Sequence, residues 1–285
     1  LTTYLKFAEP DGVIHPSIWI TGTATGRESC SDPNLFNIAK PDVLKNPYPI
    51  NARRLFIARP GYTNYSFDYD AQEFRLAAHY HKDPVILNII RKGGDPHYAA
   101  GEIFYGKKAM RRDKKKRILR NAAKGANFAI QYGASLKQVA NTLQMSVDEA
   151  RKGLMRYDET FTHVRKWTKG LTRQIKQTGY VRTQFGRRIL INREKAFEGI
   201  NYLIQGTGAD IIKRKQIECA ELAQILLPIY DELTFEIPDR LSEGEKLELL
   251  REIKRRMEDL PQFDVPLTVG CAAWKRWSEK EEIEL

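Results

Sequence analysis

Between residues 114 and 133 the apolar positions fall on one side of a helix and the cations on the other. At ~100° per residue, Ile118, Leu119, Ala122, Ala123, Ala126, Ala129 and Ile130 fill one sector and predict a core-facing stripe. Arg120, Lys124, Phe128 and Tyr132 recur every four residues along the other face. The stretch lacks proline, is rich in alanine and ends in Tyr132-Gly133, a helix stop. An amphipathic helix with a solvated basic side accounts for Arg120 and Lys124 but leaves two aromatics on the polar face. That row spans ~18 Å at about 1.5 Å per residue, and can hold a triphosphate at its cationic end and a sugar and base at its aromatic end.

Elsewhere the period shortens to two. Residues 65–70 alternate as a strand, with Phe67 and Tyr69 on one face and Asp68 on the other. A helix is expected from Ala71, with Asp70 as N-cap and Glu73 as its capping-box partner. Asp68 has no such local use, and a carboxylate at a strand end needs a metal, a cation or water. Residues 18–20 read as a short strand, and 9–12 and 46–49 carry turn chemistry. Residues 76–200 read mostly as helix, interrupted at Gly93-Gly94-Asp95-Pro96, with His97 directly after the break. Residues 135–178 read as connecting helices without chemistry, and 179–188 carry a hairpin signal. Residues 224–237 read as two strands joined by a tight Asp231-Glu232 turn. That turn is either simply a turn or two carboxylates on a rigid tip. Pro228 removes a strand donor, which suits an edge or a bulge.

Composition narrows the field. The 285 residues suffice for about two domains, and 42% hydrophobic content supplies a core. No apolar run approaches ~18 residues and no basic segment precedes an apolar one at the start, so neither a membrane span nor a secretory signal is expected. Cys30, Cys219 and Cys271 are odd in number and lie far apart. They give neither a disulfide framework nor metal-ligand spacing, and a reducing cytoplasm is the expected setting. A net charge of +11 points towards a polyanion. The cations gather in a run from Lys107 through Arg117 that includes Arg112, Lys114 and Lys115, and again at Arg182, Arg187, Arg188 and Arg193. The last eight residues are acidic.

The spacing Arg120-x3-Lys124-x3-Phe128-x3-Tyr132-Gly133 resembles the fingers helix of the family A DNA polymerases, the DNA polymerase I type. Other segments resemble that family in its own order. Thr25-Gly26-Arg27 with Pro33-Asn34-Leu35-Phe36-Asn37-Ile38 is similar to its primer–template loop, with Phe36 where the family has glutamine. Asp68-Tyr69-Asp70-Ala71-Gln72-Glu73-Phe74-Arg75 is similar to its first catalytic motif, and Asp95-Pro96-His97 to its Asp-Ile-His. Residues 183–188 and 201–210 follow its Thr-x-Phe-Gly-Arg-Arg and Asn-x-x-x-Gln segments. Pro228 and Tyr230 stand where glutamine and histidine precede the family's Asp-Glu. Residues 265–270 with Trp274 and Trp277 resemble its closing strand.

The resemblance implies an α+β fold, an antiparallel-sheet palm interrupted by a mostly helical fingers subdomain. Palm would occupy 1–75, fingers 76–205, and the second part of the palm 206–285. It implies template-directed addition of deoxynucleotides to a primer 3′-hydroxyl with two Mg²⁺ ions, held by Asp68, Asp231 and the Tyr69 carbonyl. Glu232 and Lys124 complete the catalytic set. Tyr69, Glu73, His97, Arg120, Lys124, Phe128 and Tyr132 would meet the nucleotide, with Glu73 walling off the sugar 2′ position. His97, Arg120 and Lys124 would neutralise triphosphate charge. Arg27, Asn34, Asn37, Asn201 and Gln205 would touch DNA. Phe128 in place of tyrosine implies discrimination against dideoxynucleotides. By the same resemblance the chain is expected to start after the position of the family's thumb, with no exonuclease before it. The expectation is therefore weak primer–template binding alone, or a partner chain or N-terminal segment that supplies both, in a bacterial or phage-infected cell. Two rival readings stay open: a single-subunit RNA polymerase and a non-catalytic nucleic-acid-binding module.

Overall fold

The protein is described here from a computed structural model covering residues 2–38, 51–111 and 113–285. The turn signal at 46–49, Arg112 and the side chains of Lys114 and Lys115 lie outside the described residues. The chain divides into two compact units. One comprises Leu1–Asp70, Gly208–Leu260 and Thr268–Leu285; the other comprises Ala71–Thr207 and Pro261–Leu267.

The first unit is built on a five-stranded antiparallel sheet. After α1 (Thr2–Leu5) and a small ribbon of β1 (Ser17–Trp19) with β2 (Ser29–Ser31) comes β3 (Tyr62–Tyr69), the central strand. The order is β6-β7-β3-β8-β9, with β6 Gln224–Ile229, β7 Glu232–Pro238, β8 Val269–Trp274 and β9 Glu281–Ile283. Period-two alternation decides the faces. Tyr65, Phe67 and Tyr69 are buried, and the Tyr69 hydroxyl donates to the Met257 carbonyl of α11 (Glu243–Glu258) at 2.5 Å. On the other face Ser66 and Thr234 share a hydrogen bond of 3.1 Å. There Trp274 and Trp277 pack with Cys30, Leu35, Phe36 and Ile38. Pro228 lies in an edge strand whose register slips between Ile225 and Leu227, so the missing donor costs little.

The second unit is helical: α2 (Gln72–His81), α3 (Pro84–Arg91), α4 (Pro96–Tyr105), α5 (Lys107–Met110), α6 (Asp113–Gln131), α7 (Leu136–Leu143), α8 (Val147–Thr160) and α9 (Val164–Thr178). A ribbon of β4 (Tyr180–Arg182) and β5 (Arg188–Leu190) follows, then α10 (Glu198–Cys219), which continues into the first unit. Asp83-Pro84 and Asp95-Pro96 start α3 and α4 with an aspartate cap and a first-turn proline. Ser135/Gln138 and Ser146/Glu149 form capping boxes on α7 and α8. Phe74, Phe104, Ala123, Ala126, Ile130 and Tyr157 lie in its core.

Two local expectations are corrected. Asp70 does not cap α2: its backbone N–H donates to the Thr268 carbonyl, and its carboxylate accepts from the Thr268 hydroxyl at 2.9 Å. Ala71 takes the cap position in a left-handed conformation with no side-chain bond, so Glu73 has no capping-box role. Ile118 is 66% exposed, because the buried stripe of α6 begins only at Ala123.

Candidate active site

In the first unit, β3 and β7 adjoin and bring Asp68 beside Asp231. Asp68 pairs in register with Glu232, and the Tyr69 N–H donates to the Asp231 carbonyl at 3.2 Å. Asp68 is exposed at the strand end, and Asp231 is half-buried immediately before β7. Tyr230 makes the turn with φ +57°, in the left-handed region. The observed strand β7 begins at Glu232, so the turn lies one residue earlier than the Asp231-Glu232 expectation. Tyr69 sends its side chain to the opposite face, where burial pushes the hydroxyl pKa up. Only its main chain remains to serve this edge.

Glu232 is held on two sides. Lys280 approaches its carboxylate at 2.6 Å, and the Thr234 hydroxyl donates to it at 3.2 Å. Nothing in the sequence marks Lys280, which lies far along the chain from Glu232. Among the described residues no cluster of three or more His, Cys, Asp or Glu can hold a metal. The carboxylate oxygens of Asp68 and Asp231 are donors of the hard type that a divalent cation such as Mg²⁺ or Ca²⁺ takes.

Beside this edge sits an aromatic group. The Tyr230 hydroxyl donates to Asn37 Oδ1 at 2.6 Å, and the Arg27 guanidinium lies 5.6 Å from the Tyr230 ring centroid. Phe36 meets Tyr230 edge-on at 5.9 Å and is buried, so the residue that replaces the family's glutamine is a core side chain. Asn34 is exposed and accepts from the Phe36 N–H at 3.1 Å. The loop carrying Arg27 is tied to α10: Lys213 donates to the carbonyls of Ile20 and Gly26, and Gln216 donates to Glu28 at 3.1 Å. Burial raises the Glu28 pKa, opposed by the Gln216 bond and the Lys213 charge. No local pattern in the sequence marks Lys213 or Gln216, because a fold-dependent contact between distant segments leaves none.

In the second unit, Arg120, Lys124, Phe128 and Tyr132 follow one another along and just past α6. Lys124 is exposed. Arg120 forms an ion pair with Asp95, the residue that caps α4 by accepting from the N–H groups of His97 and Tyr98. Burial opposes ionisation of Asp95, but the Arg120 bond and charge and the two N–H groups outweigh it and lower its pKa. Phe128 and Tyr132 stack, with ring centroids 6.3 Å apart. The Tyr132 hydroxyl donates to Glu73 Oε2 at 2.8 Å, which fixes the carboxylate beside the aromatic end of the row.

His97 departs from expectation. It is 4% exposed, and burial pushes its pKa down to about 4, so the ring is neutral near pH 7 and adds no positive charge. Asn127 Nδ2 meets its Nδ1 at 3.1 Å, which leaves Nε2 to carry the proton and act as a donor. Asn201 and Gln205, half-buried on α10, also belong to this unit.

Residues 1–279 match the family model "DNA polymerase family A". The chain is 32% identical over 286 residues to the thermostable DNA polymerase I of Thermus aquaticus, covering 95% of this chain and 33% of that protein. It is 30% identical over 295 residues to DNA polymerase I of Helicobacter pylori, covering 98% and 31%. The chain thus spans about a third of these relatives' length. Among solved structures, the POL domain of Pol1 from M. smegmatis, in complex with DNA primer–template and dNTP, matches with a TM-score of 0.85. Its sequence identity is 29%, and the match covers 97% of this chain and 50% of that one.

Proposed function

The chain belongs to DNA polymerase family A, and from that premise we propose that it adds deoxynucleotides to a primer 3′-hydroxyl under the direction of a template. The observation that supports this reading is the pairing of β3 with β7, in which Asp68 lies opposite Glu232 and the N–H of the next residue, Tyr69, donates to the Asp231 carbonyl. Family membership brings divalent-metal use in general. The finer proposal is Mg²⁺ held by Asp68, Asp231 and the Tyr69 main chain. Two such ions, when bound, supply activation of the attacking hydroxyl and stabilisation of the leaving pyrophosphate.

The remaining work is positioning and electrostatics, as phosphoryl transfer requires. Arg120, held by Asp95, and the exposed Lys124 offer cations to the triphosphate, and His97 offers a neutral N–H donor. Arg120 exchanges its Asp95 partner for phosphate oxygens or shares itself between them. Phe128 and Tyr132 present ring faces to the base and sugar. Glu73, which accepts from the Tyr132 hydroxyl, is assigned to excluding a ribonucleotide's 2′-hydroxyl. Arg27, Asn34, Asn37, Asn201 and Gln205 are assigned to DNA contacts. Glu232 is already satisfied by Lys280 and Thr234, and is assigned to holding the turn that presents Asp231.

The test supplies the purified chain with primer–template, a divalent metal, and either deoxynucleotides or ribonucleotides. Metal-dependent extension with deoxynucleotides is expected. Extension with ribonucleotides alone would shift the reading to an RNA polymerase. DNA binding without any extension would leave a binding module.

A further inference from the structure

The β4–β5 ribbon has two unlike faces. Inside, Val181 and Ile189 are buried in a cluster with Ile175, Ile191, Ala196 and Leu203. Outside, Tyr180 stands opposite Leu190, and Arg182 stands opposite Arg188. Both arginines are exposed, and Leu190 is 70% exposed. The guanidinium carbons of Arg182 and Arg188 lie 5.5 and 5.1 Å from the Tyr180 ring centroid.

Like charges placed directly opposite each other on paired strands repel. Residues 179–193 contain no Asp or Glu to offset this. Among the described residues neither Arg182 nor Arg188 forms an ion pair. Arg193 adds a third guanidinium at the ribbon's start, its Nε 3.2 Å from where a Cβ on Gly179 would stand. The inner face locks the ribbon in place, so the arginines cannot part by strand slippage. An arrangement that costs stability in the free protein and concentrates cations beside an aromatic and an apolar side chain matches the chemistry of an unpaired nucleic-acid strand.

We infer that the outer face of this ribbon binds single-stranded DNA, with Arg182 and Arg188 on successive phosphates and bases against Tyr180 and Leu190. A duplex fits less well, because its stacked bases would offer no free face to Leu190 or to the Tyr180 ring. The identity of the strand as unpaired template ahead of the primer rests on the polymerase reading; the binding itself does not.

The experiment compares primer–templates that carry a single unpaired template nucleotide with ones that carry about eight, enough to reach beyond one binding site. A blunt duplex is the third probe. Affinities are measured by anisotropy across a salt series for wild type, R182S/R188S, and R240S/R251S, which removes the same charge from exposed residues of the other unit. R182K/R188K guards against a folding defect. R182S/R188S is expected to lose about tenfold in affinity for the long overhang alone, and to flatten the slope of log K against log salt by about 1.4, two phosphates at about 0.7 each. R182K/R188K should keep most of the affinity, and R240S/R251S should show no overhang-dependent loss.

An equal loss on blunt duplex, an equal loss in R240S/R251S, or no change in R182S/R188S would overturn the inference. Extension from a single-nucleotide overhang, measured in parallel, separates the two readings. A chain that binds the long overhang through the ribbon but never extends a primer keeps the ribbon and loses the polymerase. A chain that extends normally while R182S/R188S binds like wild type does the reverse.

Discussion

Replacing Lys280 with methionine isolates the ion pair beside the proposed metal carboxylates. Nζ lies 2.6 Å from Glu232 Oε1, and the two side chains are only 24% and 16% exposed. At that separation the Coulomb attraction is about 6 kcal/mol for an effective dielectric near 20 and about 1.6 kcal/mol in bulk water. Desolvation of both groups offsets much of it. Removing the lysine leaves a part-buried carboxylate with the Thr234 hydroxyl as its remaining close donor and Arg53 as a more distant cation. The expected cost is about 2 kcal/mol, between the ~1 kcal/mol of an exposed pair and the 3–5 kcal/mol of breaking a buried one. Urea denaturation of wild type, K280M, E232Q and K280M/E232Q closes a double-mutant cycle. The double variant should be no less stable than K280M alone, with a coupling energy of about 1–2 kcal/mol. Single-variant losses that add to within about 0.3 kcal/mol would show that Lys280 does not neutralise Glu232, and the reasoning would fail.

Three further outcomes are expected. Burial holds the pKa of His97 at about 4 and that of His81 at about 3, whereas an unfolded histidine titrates near ~6.5. The unfolded state therefore binds more protons below that value. Stability present above pH ~6.5 should be lost as pH falls towards about 4, and a urea midpoint that stays flat in H97Q and wild type alike over this window would contradict the assignment. Glu73→Ala and Tyr132→Phe should both relax exclusion of ribonucleotides, the second by about tenfold through loss of one charge-assisted hydrogen bond; a competition assay with unchanged selectivity in both would remove Glu73 from the sugar site. Gly153→Ala would place a Cβ 2.6 Å from the Phe104 ring, which is stacked on Tyr157 at 5.7 Å. A net loss of about 1–2 kcal/mol is expected despite alanine's better helix propensity, and a raised melting temperature would refute the tight fit.

What could be read from sequence was set by range. Alternation at 65–70 correctly separated Asp68 from Phe67 and Tyr69, because a strand's two-residue period is local. The row from Arg120 to Tyr132 was legible for the same reason at a period of four. The Pro228 signal led to an edge strand with a bulge. The capping box at Asp70 and Glu73 failed because each side chain found a distant partner, Thr268 for one and Tyr132 for the other. Ile118 matched the apolar sector, yet the core reaches α6 only further along. His97 could be placed after a helix break, but its neutrality follows from burial against Phe74 and Phe128, which no local pattern encodes. Lys280 and Lys213 act through single contacts with distant segments, and such contacts have no period at all.

Asp68 and Asp231 are proposed as the centre of nucleotidyl transfer. Single-turnover primer extension with a divalent metal and the correct deoxynucleotide tests it most directly, run for wild type, D68A and D231A, with primer–template affinity measured on the same preparations. Wild type should extend and each variant should lose about 10³-fold or more, the removal of roughly 4 kcal/mol of transition-state stabilisation, with DNA affinity nearly unchanged. Extension that survives in either variant at close to the wild-type rate would contradict it.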